Sequence, residues 1–167
     1  RPEQKPLTGD HGMARAIHRL RDGLGLNLPT LGEIKAACAG GDVDVVWKLL
    51  TEAREVARSS WLDASEDTPA PTLVMPLDQT EELFSADSGP EARDFLDLLG
   101  GLLRRGGESE DVPPLVLACT IRADRYERLQ TAPELAELPP SVIFGELGPM
   151  HPADFKEVIC GPAKRVS

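Results

Sequence analysis

Two stretches of this chain are apolar without alternation, and they constrain the fold more than any other feature. Thr72-Leu-Val-Met-Pro-Leu77 and Leu115-Val-Leu-Ala-Cys-Thr-Ile121 have the length of strands and show no polar face. Such strands are expected to be covered on both faces, as in parallel sheets. The intervening sequence holds a long helical pattern, enough for the crossover that parallel neighbours require. Ser141-Val-Ile-Phe144 reads as a short third strand. The class that follows is α/β, with three layers, α/β/α, around a parallel sheet. Pro76 fits awkwardly, because proline removes a ladder donor and normally occupies an edge or a bulge.

Helical periodicity accounts for most of the remainder. Residues 10–23 place Met13, Ile17, Leu20 and Leu24 on one face, with Arg15, Arg19 and Arg21 on others. Thr30-Leu-Gly-Glu33 has the spacing of a capping box for a second helix, stopped by Gly40-Gly41. Asp42 caps a third, whose Val43, Val46, Trp47, Leu50 and Ala53 repeat at helical intervals. A short helix is expected over residues 79–85. Ser88-Gly-Pro-Glu91 then opens a longer one with the stripe Phe95, Leu98, Leu99, Leu102 and Leu103. Thr131-Ala-Pro-Glu134 is a further capping box, and Pro152 and Gly161 bracket a final helix.

Composition narrows the partners. An apolar content of 41% over 167 residues supplies one buried core. A formal charge of -10, with no basic cluster interleaved with aromatics, disfavours nucleic acid and anionic membrane surfaces. No apolar run approaches a membrane span, so a soluble segment is expected. Cys38, Cys119 and Cys160 are odd in number and widely spaced, which suits reduced thiols and a cytoplasmic setting. Without a Cys-x-x-Cys pair, and with only His11, His18 and His151, neither a zinc site nor a Gly-x-Ser-x-Gly hydrolase is supported.

In an open parallel sheet the ligand crevice lies beyond the carboxyl ends of the strands, which directs attention to Asp78-Gln79 and Thr120-Ile-Arg122. An apolar strand ending in aspartate is the Walker B arrangement, where the carboxylate supports Mg²⁺ beside nucleotide phosphates. The same residues also allow Asp78 to cap the helix over 79–85, with Glu81 completing a box. Gln79 stands where a glutamate often activates water; an amide orients the water but takes no proton. Arg122 either reaches a γ-phosphate or forms a surface ion pair with Asp124. No Gly-Lys pair occurs, so the phosphate-cradling Gly-x-x-x-x-Gly-Lys-[Ser/Thr] loop is absent from these residues.

Leu77-Asp78-Gln79-Thr80-Glu81-Glu82-Leu83-Phe84 resembles the Walker B signature of the novel STAND family of NTPases, Asp-Gln-x-Glu-Glu-Leu-Phe after apolar residues. Thr120-Ile-Arg122-Ala-Asp124-Arg-Tyr126 is similar to that family's sensor strand, Thr-x-Arg-x-Asp-x-Tyr. Leu147-Gly-Pro-Met150 and Ile159-Cys-Gly161-Pro162-Ala-Lys-Arg165 resemble its closing block. The order and spacing agree over about residues 71–165. Thr80, where an aromatic is common, and Met75-Pro76, where valines are frequent, depart from the pattern.

The resemblance implies a partial P-loop NTPase-like core. Residues 1–60 would be a helical segment after a missing first strand and phosphate loop, and both ends read as cuts within a longer, bacterial signalling protein. It implies Asp78 on Mg²⁺, Gln79 near the attacking water, Arg122 sensing the γ-phosphate of ATP, and Thr120 steadying the strand end. It further implies a slow ATPase switch acting on flanking effector and repeat domains, with the fragment itself inactive. A rival reading is a non-catalytic scaffold for self-association or partner docking.

Overall fold

The computed structural model describes residues 5–60, 68–85, 88–107, 113–135 and Leu138. The expected third strand at 141–144, the closing block at 147–165, Cys160, His151 and Trp61 lie outside the described residues. Within them the chain runs α1 (Met13–Gly23), α2 (Leu31–Ala39), α3 (Val43–Ser59), β1 (Leu73–Leu77), a 3₁₀ turn (Thr80–Phe84), α4 (Glu91–Gly107) and β2 (Leu115–Cys119). A second 3₁₀ turn (Ala123–Arg125), α5 (Tyr126–Gln130) and a third turn (Pro133–Leu135) follow. β1 and β2 pair in parallel, Leu73 opposite Leu115 through Leu77 opposite Cys119, so the α/β class holds with a two-stranded parallel sheet.

The strands are covered on one face only among the described residues. Leu73, Met75, Leu77 and Leu117 pack against the core, while Val74 is 61% exposed and Val116 37%. Coverage on both faces, expected from the unbroken apolar runs, is not seen here. A run of apolar residues tells that water is unwelcome on either face, but which neighbour covers each face is decided by the rest of the fold. The hydrogen bonds also resolve the awkward proline. The Leu73 amide donates to the Pro114 carbonyl (3.0 Å) and the Thr120 amide to the Leu77 carbonyl (2.9 Å). Residues 73, 75 and 77 therefore aim their polar groups at β2, and Pro76 lies on the alternate set facing the other edge. Its missing N–H costs no bond in the β1–β2 ladder.

α4 is the crossover between the strands and the centre of the core. Its Phe95, Leu98, Leu99 and Leu102 are buried as the stripe predicts, in one cluster with Met13, Ile17, Ile34, Val46, Leu50 and Leu115. Two glycines let neighbours approach its backbone. A Cβ on Gly100 would lie 2.3 Å from the Glu134 carbonyl oxygen, and one on Gly101 2.5 Å from a Val43 methyl.

Two of the caps read from sequence are present, while the Thr131 hydroxyl of the third expected box donates instead to the Glu127 carbonyl (2.8 Å). Thr30 and Glu33 form the reciprocal capping box of α2, and Asp42 accepts from the Val45 amide (3.0 Å) at the start of α3. α1 differs: it begins at Met13, not near Asp10, and no side chain caps it. The Pro6 and Leu7 carbonyls instead accept from the Met13 and Ala14 amides (2.8 and 3.0 Å). A tertiary contact thus supplies the cap that a local side chain normally gives. Glu91, at the start of α4, holds the same loop through the Leu7 and Thr8 amides (3.1 Å each) and the Thr8 hydroxyl (2.6 Å).

The apolar stripe also misplaces one residue pair. Leu20 is 36% exposed and Arg21 only 2%. Arg21 is drawn inward by polar acceptors from two other segments: the Leu49 carbonyl (2.9 Å), the Leu28 carbonyl and the Glu52 carboxylate (2.9 Å). A buried guanidinium is tolerated when paired in this way, and it ties α1 to α3.

Alanine normally stabilises a helix relative to glycine by up to about 1 kcal/mol. At position 100 the sign is expected to reverse: Gly100→Ala should lower stability by about 1–3 kcal/mol through the contact with Glu134, read as a lower urea midpoint. Burial raises the Glu91 carboxyl, but bonds from the Thr8 side chain and the Thr8 and Leu7 amides, with Lys5, outweigh it and hold Glu91 below its ordinary value. A carboxyl depressed in the folded state stabilises above its unfolded value and loses that contribution as pH falls through the folded one. Glu91→Gln is therefore expected to cost on the order of 1–2 kcal/mol at neutral pH, with the difference from the parent vanishing in acid, measured by urea titrations across pH.

Candidate functional site

The parallel register brings Asp78 and Thr120 off the sheet side by side, one residue beyond the Leu77–Cys119 pair. The two strand ends remain laced together after the ladder stops. The Thr120 amide donates to the Leu77 carbonyl and the Thr80 amide to the Thr120 carbonyl, both at 2.9 Å. Thr80 is fully buried and its hydroxyl faces the Leu77 carbonyl at 3.4 Å. The chain between these fixed points turns sharply at Gln79.

Gln79 takes up a left-handed conformation, φ 55° and ψ 47°, alone among the described non-glycine residues. That geometry costs an L-residue roughly 1–2 kcal/mol and persists only where surrounding bonds impose it. Here the Gln79 amide donates to both Asp78 Oδ1 and Thr120 Oγ1 at 3.0 Å. The Thr120 hydroxyl completes the triangle by donating to the same Asp78 oxygen. Asp78, Gln79 and Thr120 thus form one hydrogen-bonded group at the carboxyl ends of the strands, all three exposed.

This geometry removes the helix-cap reading of Asp78. The segment after it is a 3₁₀ turn rather than the expected helix over 79–85, Gln79 stands at its N-cap, and no side chain caps it. Asp78 bonds its immediate neighbour and the adjacent strand, so it organises the strand ends and does not cap a helix. Among the described residues only Oδ1 is engaged, and Oδ2 meets no donor among them.

Arg122 is attached to this group through its backbone. Its amide donates to Glu81 Oε2 at 3.4 Å, a long bond that gives Glu81 a strand-end contact in place of the capping-box role expected from the sequence. Its guanidinium lies against Asp124 in a side-on pair, Nε to Oδ1 at 3.0 Å and Nη2 to Oδ2 at 3.2 Å. The hydrogen bond to Asp124, then its charge, raise the Arg122 value; the bond to Arg122 lowers Asp124. Of the four candidate residues the fold therefore gathers Asp78, Gln79 and Thr120 directly. The Arg122 side chain is occupied elsewhere, as the ion-pair alternative anticipates. The Arg-x-Asp spacing is the signal for that partner.

The donor set bears on metal chemistry. No group of three or more His, Cys, Asp or Glu residues converges among the described residues. Mg²⁺ is commonly held by one or two carboxylates, with phosphate and water oxygens completing its octahedron. One oriented, exposed carboxylate fits that shared kind of site and does not fit a self-sufficient metal cage. Cys38 is buried, and its thiol is pushed up to about 11 by desolvation, so it supplies no thiolate ligand near neutral pH.

Thr120→Val removes both the donor to Asp78 and the second acceptor for the Gln79 amide. The expected cost is about 1 kcal/mol or somewhat more in urea denaturation, and Thr120→Ser, which keeps the hydroxyl, should restore most of it.

No helix among the described residues is long and apolar enough to cross a membrane. Searches of curated proteins and of solved structures returned no match. A family model described as Novel STAND NTPase 1 matches residues 6–167, nearly the whole chain. The match spans the Asp78 turn, the Arg122 segment and the stretch beyond the described residues, in agreement with the resemblance carried by their motifs. The chain belongs to the Novel STAND NTPase 1 family.

Proposed function

We propose that this chain is part of an ATP-dependent signalling switch in a larger, multidomain bacterial protein, with Asp78 as the carboxylate that supports Mg²⁺ beside the nucleotide phosphates. The observation that carries this reading is the Asp78–Gln79–Thr120 triangle at the carboxyl ends of two parallel strands. The triangle holds one carboxylate oxygen, no donor among the described residues takes the other, and the left-handed turn at Gln79 accompanies it. Mg²⁺, when bound, would neutralise charge on the transferring phosphate. Thr120 orients Asp78. Gln79, whose backbone amide is bonded to that carboxylate, would orient the attacking water without accepting its proton. Arg122 would bind the γ-phosphate and stabilise charge developing there.

An amide in place of a proton-accepting base at position 79 suits a switch, because slow turnover keeps the triphosphate state long-lived. The reading places the protein in the cytoplasm, with the flanking effector and repeat domains as the parts the nucleotide state controls. It also requires a phosphate-binding loop from outside these 167 residues, which contain no Gly-Lys pair. The second reading, a non-catalytic scaffold for self-association or partner docking, draws on the pairing of Arg122 with Asp124.

In the complete nucleotide domain, Asp78→Asn and Arg122→Ala are each expected to lower ATP hydrolysis on the order of 10²-fold, the loss typical of removing one charge-stabilising group. The isolated 167 residues are expected to show no tight Mg-ATP binding in calorimetry. Hydrolysis unchanged in both variants would take these residues out of the site. An intact domain that binds partners but neither binds nor hydrolyses ATP would favour the scaffold.

A further inference from the structure

The Arg122–Asp124 pair is the part of the strand-end group that the proposed function leaves without a task. Side-on pairing through Nε and Nη2 engages the planar fork with which a guanidinium takes two oxygens of a phosphate. A carboxylate already seated there excludes a phosphate from the same edge. We propose that Asp124 is an internal competitor for the phosphate that Arg122 binds, a clamp that only the terminal phosphate of a nucleoside triphosphate displaces. The inference rests on the reading of Arg122 given above and adds a means of discrimination to it.

Four features of the geometry suit a clamp that opens. The two side chains are 68% and 56% exposed, so water and salt screen their attraction and the pair exchanges readily. The backbone of Arg122 is held separately, by Glu81 at its amide and by the Arg125 amide at its carbonyl (2.9 Å). Release of the guanidinium therefore moves a side chain and leaves the strand end in place. Asp124 is not stranded when Arg122 departs, because Arg125 Nε already lies 3.8 Å from Asp124 Oδ2. Finally, Arg122 also feels the Glu81 carboxylate. A ligand must outbid carboxylate charge to take the guanidinium, which a phosphate bearing about two negative charges and three acceptor oxygens does. A diphosphate that lacks the terminal group has nothing to offer at that position.

The test compares Asp124→Asn, nearly the same shape without the charge, with the parent in the complete nucleotide domain. Calorimetry with the Mg²⁺ complexes of a non-hydrolysable ATP analogue and of ADP reads the discrimination. The expected result is about two- to fivefold tighter binding of the triphosphate, the range of an exposed ion pair, with ADP unchanged. The gain should disappear in an Arg122→Ala background. A readout that needs no nucleotide is the Arg122 Nε–H chemical shift of the 167-residue chain, expected to move toward that of an unpaired arginine in Asp124→Asn. Equal gains for both nucleotides, no gain, or a gain that survives Arg122→Ala overturns the clamp. Triphosphate affinity unaffected by Arg122→Ala alone overturns the reading of Arg122 and the clamp with it. Weaker triphosphate binding in Arg122→Ala beside an inert Asp124→Asn overturns the clamp alone.

Discussion

Parallel pairing of β1 with β2 sets the condition to which the other described elements respond. A chain that leaves one strand at its carboxyl end must return to the opposite end of the sheet before the next can pair alongside it. α4 makes that return, and the core assembles on it. Its apolar stripe gathers residues of α1, α2, α3 and β2. Its first residue, Glu91, holds the loop whose carbonyls start α1. Its two glycines admit Val43 on one side and the Glu134 carbonyl on another. The positions of α1, α2 and α3 are thus referred to the element that the strand order makes necessary.

The same pairing creates the strand-end group. Two parallel strands in register end on the same side, so Asp78 and Thr120 meet there without further instruction. The lacing of Thr80 and Thr120 backbone groups then forces the intervening residue into a left-handed turn, and Gln79 carries the strain. Strain of this kind survives because it is over-determined, here by two hydrogen bonds to one Asp78 oxygen and a third from the Gln79 amide to the Thr120 hydroxyl. Arg122 enters the group by its backbone and keeps its charge for Asp124. The strand-end group therefore combines one fixed arrangement of main chain with one exposed, ion-paired side chain.

The features legible before the structure were those governed by neighbours in sequence. Thr30 with Glu33 and Asp42 with Val45 close loops of three residues, and the α4 stripe follows from helical spacing alone. The strand ends and their Asp and Arg were legible because an apolar run stops where it reaches solvent. Arg21 was not, because its acceptors come from Leu28, Leu49 and Glu52, and periodicity records only apolar character. The start of α1 was missed for a similar reason: its cap is a backbone loop held by Glu91, far away in sequence. Pro76 looked like a defect because the sequence does not say which edge of a strand its missing donor would face.

By itself the sequence determined the family, the parallel α/β class and the identity of the residues at the strand ends, since these rest on local pattern and on motif order. Only the tertiary structure decided that Asp78 organises the strand ends and caps no helix, that Gln79 bears the strain, and that the Arg122 fork is already filled by Asp124. Each of these depends on which acceptor lies within about 3 Å of a donor, and that is settled by packing and register between segments that the sequence keeps far apart.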